Sequence, residues 1–331
     1  MKKTIFVDPQ TRNPLMIGRG DGNCNASLSS IDGKNYPIKN GVAQLIYPNN
    51  LDDQDAGSRD FYEGRADQYE DTLHLTFVTH GLDEYATRQS FIDKLYIKLG
   101  SKILEIACGT GRDSVLIADR VGPEGELHLQ DISADMMRVC RNKLGNHHAV
   151  ASFALANAMY LPYPDKYFDG VYSFGALGEF SDQALALREM VRVCKIGGRI
   201  VVGDESVPVW LRETEFYKIL KETNPMFEAP LPLSAIPVEA RDTSIHFVIG
   251  QAFYLIDFTV GEGEPTANFD FPIPGVRGGT YRTRCKGKLE GVTDEAKDLA
   301  WKAVKKTKSN MHEWLDRVVK DAAKKNIGDI P

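Results

Sequence analysis

Between Lys102 and Glu205 the chain alternates short apolar runs with amphipathic ones, and this rhythm limits the fold more than any other feature. "KILEIAC", "ELHLQDIS", "ASFALANA", "FDGVYSFGAL" and "GGRIVVGDE" read as strands, and "RDSVLIADRV", "ADMMRVCRNKLG" and "DQALALREMVRVC" as helices. Near-continuous apolar strands need cover on both faces, and strand–helix–strand repetition makes neighbouring strands parallel. The expected class is α/β: a Rossmann-like, doubly wound, mostly parallel seven-stranded sheet with helices on both faces.

The flanks differ in character. Residues 1–50 are rich in Asn, Gly, Asp and Pro and close with "YPIKNGVAQLIYP", which predicts a small β-rich N-terminal extension. "NNLDDQDAGSRD" reads as a linker into helical patterns through residues 60–98, so the main domain is placed at 51–260. After Glu205, "VWLRETEFYKILKE" is helical and passes into the Pro-rich "NPMFEAPLPLSAIP"; this cap insertion, about 206–245, would lie over the strand ends. "TSIHFVIGQAFYLIDFTVG" is then strand-like, with Gly250 a bend point. Residues 261–331 form a C-terminal, substrate-side segment with two helices, from the helical spacing of Ala296, Leu299, Ala300 and Val304 and of Met311, Leu315, Val318 and Ala322.

Composition excludes some classes of function. The chain has 331 residues, 42 % hydrophobic and 26 % charged, enough to bury a full α/β core. A formal charge of −6 argues against a nucleic-acid or anionic-membrane surface, although from Tyr281 onward 13 Lys and Arg stand against 8 Asp and Glu. The five cysteines, Cys24, Cys108, Cys140, Cys194 and Cys285, are scattered, without metal-ligand spacing, and suggest a reducing compartment and no metal. The start lacks the apolar region of a secretory signal. The longest apolar run, 245–260, is too short to span a bilayer and contains Gln251 and Asp257. A soluble, cytoplasmic protein is expected.

The chemistry points to 103-ILEIACGTGRDS-114. Ligands of parallel α/β sheets sit at the carboxyl ends of strands, where Gly109 and Gly111 allow close approach and positive φ. A dinucleotide loop would read G-x-G-x-x-G. Here Ser114 takes the third place, but Asp131 follows at about the ribose-binding distance, so spacing leaves an NAD(P)-dependent oxidoreductase open. Charge separates the two: a pyrophosphate wants bare amides, whereas S-adenosylmethionine brings a sulfonium and an ammonium, which carboxylates favour. Glu105 and Asp113 suit the positive ligand.

"ILEIACGTGRDS" resembles the first motif of the class I S-adenosylmethionine-dependent methyltransferases (type-11 domain), in particular the ubiquinone/menaquinone-biosynthesis group, with Ala107 where Gly is usual. The resemblance continues in order through "LHLQDISADMM", "ANAMYLPYPDKYFDGVYSFGALGEF" and "REMVRVCKIGGRIVVGDE", covering roughly residues 60–205. It implies a cofactor, S-adenosyl-L-methionine, leaving as S-adenosyl-L-homocysteine. It also implies that Glu105 faces the amino-acid end, that the loop Ala107, Cys108, Gly109 to Gly111 wraps the cofactor, and that Asp131 holds both ribose hydroxyls. Ile132 and Met136 would pack near the adenine, with Asn157 and Ala158 where the family commonly has Asp-Ala at the adenine edge. Phe174 would run beneath the methyl donor, Gly175 would admit the substrate, and Tyr62 and Tyr69 would close over the site.

The first fifty residues resemble a degraded zinc-ribbon-type domain that precedes many such enzymes. Asp8 stands where a Cys is expected and Cys24 is alone, so no zinc is expected. Two candidate bases are Glu179, where relatives often carry His, and His246. Arg277, Arg282 and Arg284 could meet an acidic acceptor or acids of the protein itself. With no "NPPY" tetrapeptide, the expected reaction is in-line methyl transfer to a small-molecule acceptor, with no nucleic acid and no membrane span. A non-catalytic partner or scaffold that kept the fold is the alternative.

Overall fold

The computed structural model describes residues 2–19, 26–286 and 292–328. By contacts the chain divides into two units, Met1–Pro265 and Thr266–Pro331.

The first unit begins with five strands, Lys2–Val7 (β1), Pro14–Arg19 (β2), Ala26–Ser29 (β3), Asn35–Lys39 (β4) and Val42–Gln44 (β5), followed by four helices, Asp53–Tyr62 (α1), Ala66–Thr72 (α2), Leu75–Thr79 (α3) and Glu84–Asp93 (α4). The alternating stretch then runs Lys102–Ile106 (β6), Arg112–Val121 (α5), Glu126–Asp131 (β7), Ala134–Leu144 (α6), Val150–Leu155 (β8), Phe168–Phe174 (β9), Gln183–Val193 (α7) and Cys194–Glu205 (β10). Glu215–Thr223 (α8), Ala240–Val248 (β11) and Phe253–Val260 (β12) complete it.

The strands line up as β1-β2-β3-β4-β5-β8-β7-β6-β9-β10-β12-β11. Seven of them, β8 to β11 in that order, are the doubly wound sheet, parallel except for β12, which runs antiparallel to both its neighbours, β10 and β11. From β6 the order steps one way through β7 to β8 and the other way through β9 to β10. The switch point therefore lies outside the carboxyl ends of β6 and β9, where such sheets hold ligands. One face packs Ile92 of α4, Leu116 and Ile117 of α5 and Met137 of α6 against Ile103, Tyr172, Val201 and Leu255; the other packs Leu187 and Met190 of α7 against Leu104, Val171, Ile200 and Tyr254.

Two features depart from the sequence reading. β11 begins at Ala240, inside the stretch expected to form the cap, because its first residues, Arg241 to Thr243, belong to a polar edge strand without an apolar pattern. The N-terminal strands also do not stand apart. β5 runs parallel to β8 (Val42↔Phe153, Ala43↔Ala154, Gln44↔Leu155) and extends one sheet to twelve strands, covering an edge that would otherwise be open. Phe6, Leu15, Leu28 and Leu45 join the α7-side core, and the Phe6 ring lies 5.6 Å from that of Tyr163.

Asp8 holds this extension together. Fully buried, it accepts from the backbone amides of Gln10 (2.9 Å) and Thr11 (2.7 Å) through Oδ1 and from the Tyr36 hydroxyl (2.7 Å) through Oδ2, with Lys34 Nζ at 3.5 Å. A carboxylate thus ties the β1–β2 turn to β4 where the zinc-ribbon likeness puts a metal ligand; Cys24 lies outside the described residues. Burial would raise its pKa, but Thr11, Tyr36, Gln10 and Lys34 together hold it below the usual carboxylate range.

In the second unit, Tyr281–Lys286 (α9), Asp294–Thr307 (α10) and Met311–Ile327 (α11) are helical, and the break at Lys308–Asn310 falls at "KSN". Arg282 pairs with Asp270 at 2.8 Å and Arg284 donates to the Gly278 carbonyl.

Asp8→Ala strands two amides and a hydroxyl and is expected to cost about 2–3 kcal/mol, read as a lower urea midpoint. Because the folded-state pKa is depressed, wild type holds this contribution above about pH 4 and loses it as pH falls through the folded value. The difference between wild type and variant should shrink in acid.

Candidate active site

The site is built at the carboxyl ends of β6, β7, β9 and β10. The chain leaves β6 through three left-handed residues, Ala107 (φ 52°), Gly109 (φ 54°) and Gly111 (φ 81°). Holding Ala107 there costs about 1–2 kcal/mol that a glycine would avoid. The two glycines differ in purpose. A Cβ on Gly109 would meet nothing within 4 Å, so the loop leaves open space there; one on Gly111 would lie 2.8 Å from Cys140 Sγ, so that glycine serves packing against α6. Cys108 contributes backbone to the loop while its Sγ turns inward, 3.9 Å from Cys140 Sγ.

Asp131 ends β7 and reaches back across the loop. Its Oδ2 accepts from Gly109 N at 2.8 Å and its Oδ1 from Ser133 N at 2.9 Å, while Ser133 Oγ caps α6. The anion that a dinucleotide would bring to Gly109 N therefore finds a carboxylate already there. Burial pushes the Asp131 carboxyl up to about 6, against the lowering effect of the Ser133, Gly109 and Ile132 amides. Glu105, buried at the end of β6, accepts from Ser114 Oγ at 2.5 Å and is raised by burial and by Asp113.

Asp113 does not face the ligand. Arg88 of α4 donates to its Oδ2 at 2.9 Å and the Tyr172 hydroxyl at 3.2 Å, so it is neutralised inside the protein. Asn157 is tied in place: its Nδ2 donates to Asp55 (3.2 Å) and its Oδ1 accepts from Met159 N (3.0 Å). Ala158 and Met136 are buried, and Ile132, just before the Ser133 cap of α6, is half-buried.

Tyr62 and Tyr69 stand edge to face, ring centroids 5.8 Å apart. Burial raises both phenols. The acids Glu179, Glu205 and Asp204 add to this for Tyr62, and Glu205, Asp113 and Asp131 for Tyr69. Phe174 packs between Phe91 (4.8 Å) and Phe253 (5.8 Å), and a Cβ on Gly175 would meet open space. Glu179, on the 3-10 turn Leu177–Glu179, is raised by burial and by Asp204.

His246 is not brought to this site. Its Nε2 lies 3.1 Å from Asp257 Oδ2 and 3.1 Å from Lys94 Nζ, in a network where Arg199 also pairs with Asp257. The role as base is therefore withdrawn; a cross-strand acid holds the ring. Sequence reasoning passed over Asp55, Glu63, Asp204 and Glu205. Asp55 accepts from Ser181 and Asn157, tying α1 to the turn after β9, and Glu63 accepts from Ala134 N at 2.7 Å. Asp204 accepts from the amides of Gly178 and, at 2.9 Å, Glu205. Two adjacent acids closing an apolar strand were the available signal.

Residues 66–227 match the ubiE/COQ5 methyltransferase family. Residues 66–227 form a class I S-adenosylmethionine-dependent methyltransferase domain. Among the curated relatives, the ubiquinone/menaquinone biosynthesis C-methyltransferase UbiE of Xanthomonas campestris is 39 % identical over 150 residues, covering 43 % of this chain and 59 % of its own. The UbiE of Cupriavidus metallidurans is 40 % identical over 123 residues, 37 % of this chain and 50 % of its own. The chain thus spans between half and three-fifths of the length of these two relatives. Among solved structures, phosphoethanolamine N-methyltransferase 2 of Haemonchus contortus in complex with S-adenosyl-L-methionine is 13 % identical, covers 65 % of this chain and 62 % of its own, and gives a TM-score of 0.48. The residues fit the methyltransferase domain's cofactor: open space beside Gly109 and a carboxylate at its amide. Among the described residues no helix is long and apolar enough to cross a membrane.

Protonation of Asp131 removes a charged acceptor from the site. Affinity for S-adenosylhomocysteine should therefore fall as pH drops through about 6, by roughly tenfold between pH 7 and pH 5. In calorimetric titrations Asp131→Asn should bind weakly and lose this dependence.

Proposed function

We propose that the chain transfers the methyl group of S-adenosylmethionine to a small, neutral, quinone-type acceptor in its reduced, hydroxyl-bearing form. The observation that carries the cofactor half is the Asp131 carboxylate on the Gly109 amide, beside the buried Glu105. It disfavours a pyrophosphate and favours a ligand with positive ends. The acceptor half is supported by the UbiE relatives, which are named C-methyltransferases of ubiquinone and menaquinone biosynthesis.

When bound, S-adenosylmethionine supplies a methyl already activated on a sulfonium, so the protein's part is orientation and exclusion of water. Tyr62 and Tyr69 would cover the cofactor side, and Asp131 would hold the ribose hydroxyls by charge-assisted hydrogen bonds. Gly175 leaves room for the acceptor, and Glu179 would anchor an acceptor hydroxyl. Residues 206–239, with α8, would shape acceptor choice. Arg282 and Arg284 are engaged within their own unit and are not carried forward as acceptor ligands.

The test combines binding and transfer. S-adenosylhomocysteine should bind with NADH giving no heat, and Asp131→Ala should weaken binding by about tenfold or more. Tritiated methyl from S-adenosylmethionine should appear on a ring carbon of 1,4-naphthohydroquinone. Cofactor binding without transfer overturns the acceptor reading; NADH binding in its place overturns the cofactor reading.

A further inference from the structure

α1 and α2 are fastened to the rest of the protein mainly by polar contacts. Asp55 is the one buried residue of α1 and Ala66 the one buried residue of α2, so neither helix sets a large apolar side chain fully into the core. At one end Gln54 Nε2 donates to the carbonyls of Gly178 (3.1 Å) and Phe180 (3.2 Å), and Asp55 accepts from Ser181 N (3.0 Å), Ser181 Oγ (2.9 Å) and Asn157 Nδ2 (3.2 Å). At the other, Arg138 of α6 pairs with Asp67 at 2.7 Å, and Glu70 pairs with Lys143 (2.9 Å) and Arg112 (3.3 Å). The two helices thus run from the turn after β9 to α5 and α6. Segments with so few buried apolar contacts lie at the low end of a protein's local stability.

The joint between the two helices is held by a reciprocal pair of carboxylates. Arg65 gives α2 no side-chain cap, and Asp135 of α6 takes that place, its Oδ2 accepting from Ala66 N at 3.0 Å. In return Glu63, just past the end of α1, accepts through Oε1 from Ala134 N (2.7 Å) and Ser133 Oγ (3.2 Å) at the start of α6. Between these contacts Gly64 turns the chain with φ 74°. The same turn of α6 serves Asp131, whose Oδ1 accepts from Ser133 N while its Oδ2 holds Gly109 N. Asp131 is only 6 % exposed, so a ribose reaches it through both hydroxyls only when what is fastened to that turn moves aside.

Resting on the S-adenosylmethionine reading above, we propose that α1 and α2 are a strap that lifts to admit and release the cofactor, and that the contacts of Glu63 with α6 and of Asp135 with α2 are its latch. Glu63 and Asp135 are positioning residues: they set how often the site opens. Tyr62 and Tyr69, both on the strap, move away with it and return when it closes. Entry and exit use the same opening, and the latch closes with or without ligand. Weakening it therefore speeds both steps and leaves the equilibrium affinity nearly unchanged.

Surface plasmon resonance of S-adenosylhomocysteine on the immobilised full chain separates association from dissociation. Glu63→Ala, and Asp135→Asn from the other side of the latch, should each raise both rate constants by about five- to tenfold, with Kd within about twofold of wild type. Unchanged rate constants overturn the proposal. So does faster dissociation alone, which is the mark of a lost cofactor contact. Hydrogen exchange of the ligand-free protein gives an arm that needs no cofactor. In wild type, peptides within 53–72 should exchange faster than those within 112–121, and Glu63→Ala should speed the former by about fivefold and leave the latter alone. Equal exchange of the two segments in wild type, or no change at 53–72 in the variant, overturns the strap. A wild type that binds no S-adenosylhomocysteine overturns the cofactor reading, and the exchange arm then decides the strap by itself.

Discussion

Asp131 and the Gly109 amide, 2.8 Å apart across the switch point, are the contact around which this site is arranged. The loop after β6 needs left-handed residues to bring that amide round, and it can be pinned only because β7 ends in an acid at the matching height. The consequence is electrostatic. A helix N-terminus that would ordinarily welcome an anion is screened by a carboxylate, with a second acid, Glu105, buried behind it. The positive ends of a sulfonium cofactor are the complement such a surface calls for.

The remaining acids follow from the same arrangement. Arg88 removes Asp113 from the balance, and Arg112, which pairs with Glu84 and Glu70, is likewise neutralised at the start of α5. What stays uncompensated lies at the ends of β9 and β10, where Glu179, Asp204 and Glu205 gather near the tyrosine pair. Burial and the neighbouring acids raise the proton affinity of Glu179 and Glu205 above that of an ordinary carboxylate. The tyrosine rings stand edge to face, and the glycines at 109 and 175 leave open space.

Much of this was legible in the sequence wherever the determinant is local. The strands from β6 to β10 announce themselves because both of their faces are buried, and Glu105, Gly109 and Asp131 occupy loop positions whose geometry follows from the strand–turn–helix pattern. What the sequence did not show depends on partners far along the chain. Asp113 read as ligand-facing because its neutralising partner, Arg88, sits on another helix 25 residues earlier. His246 read as a candidate base because Asp257, on the opposite arm of its hairpin, and Lys94 are invisible from "SIHFVIG". The joining of β5 to β8 has no local signal at all, since an edge strand of three residues carries almost no pattern. Asp8 was visible as a lost metal ligand, but its four donors were not.

Hydrogen exchange followed by mass spectrometry tests the central claim most directly, because it reports where a ligand sits without presupposing the acceptor. With S-adenosylmethionine added, peptides covering 105–114 and 128–136 should exchange more slowly, and NADH should leave them unchanged. Protection confined to the opposite ends of the strands, at the cleft of about 630 Å³ lined by Ser101, Asp169, Lys195 and Arg199, or equal protection by NADH, would contradict the account.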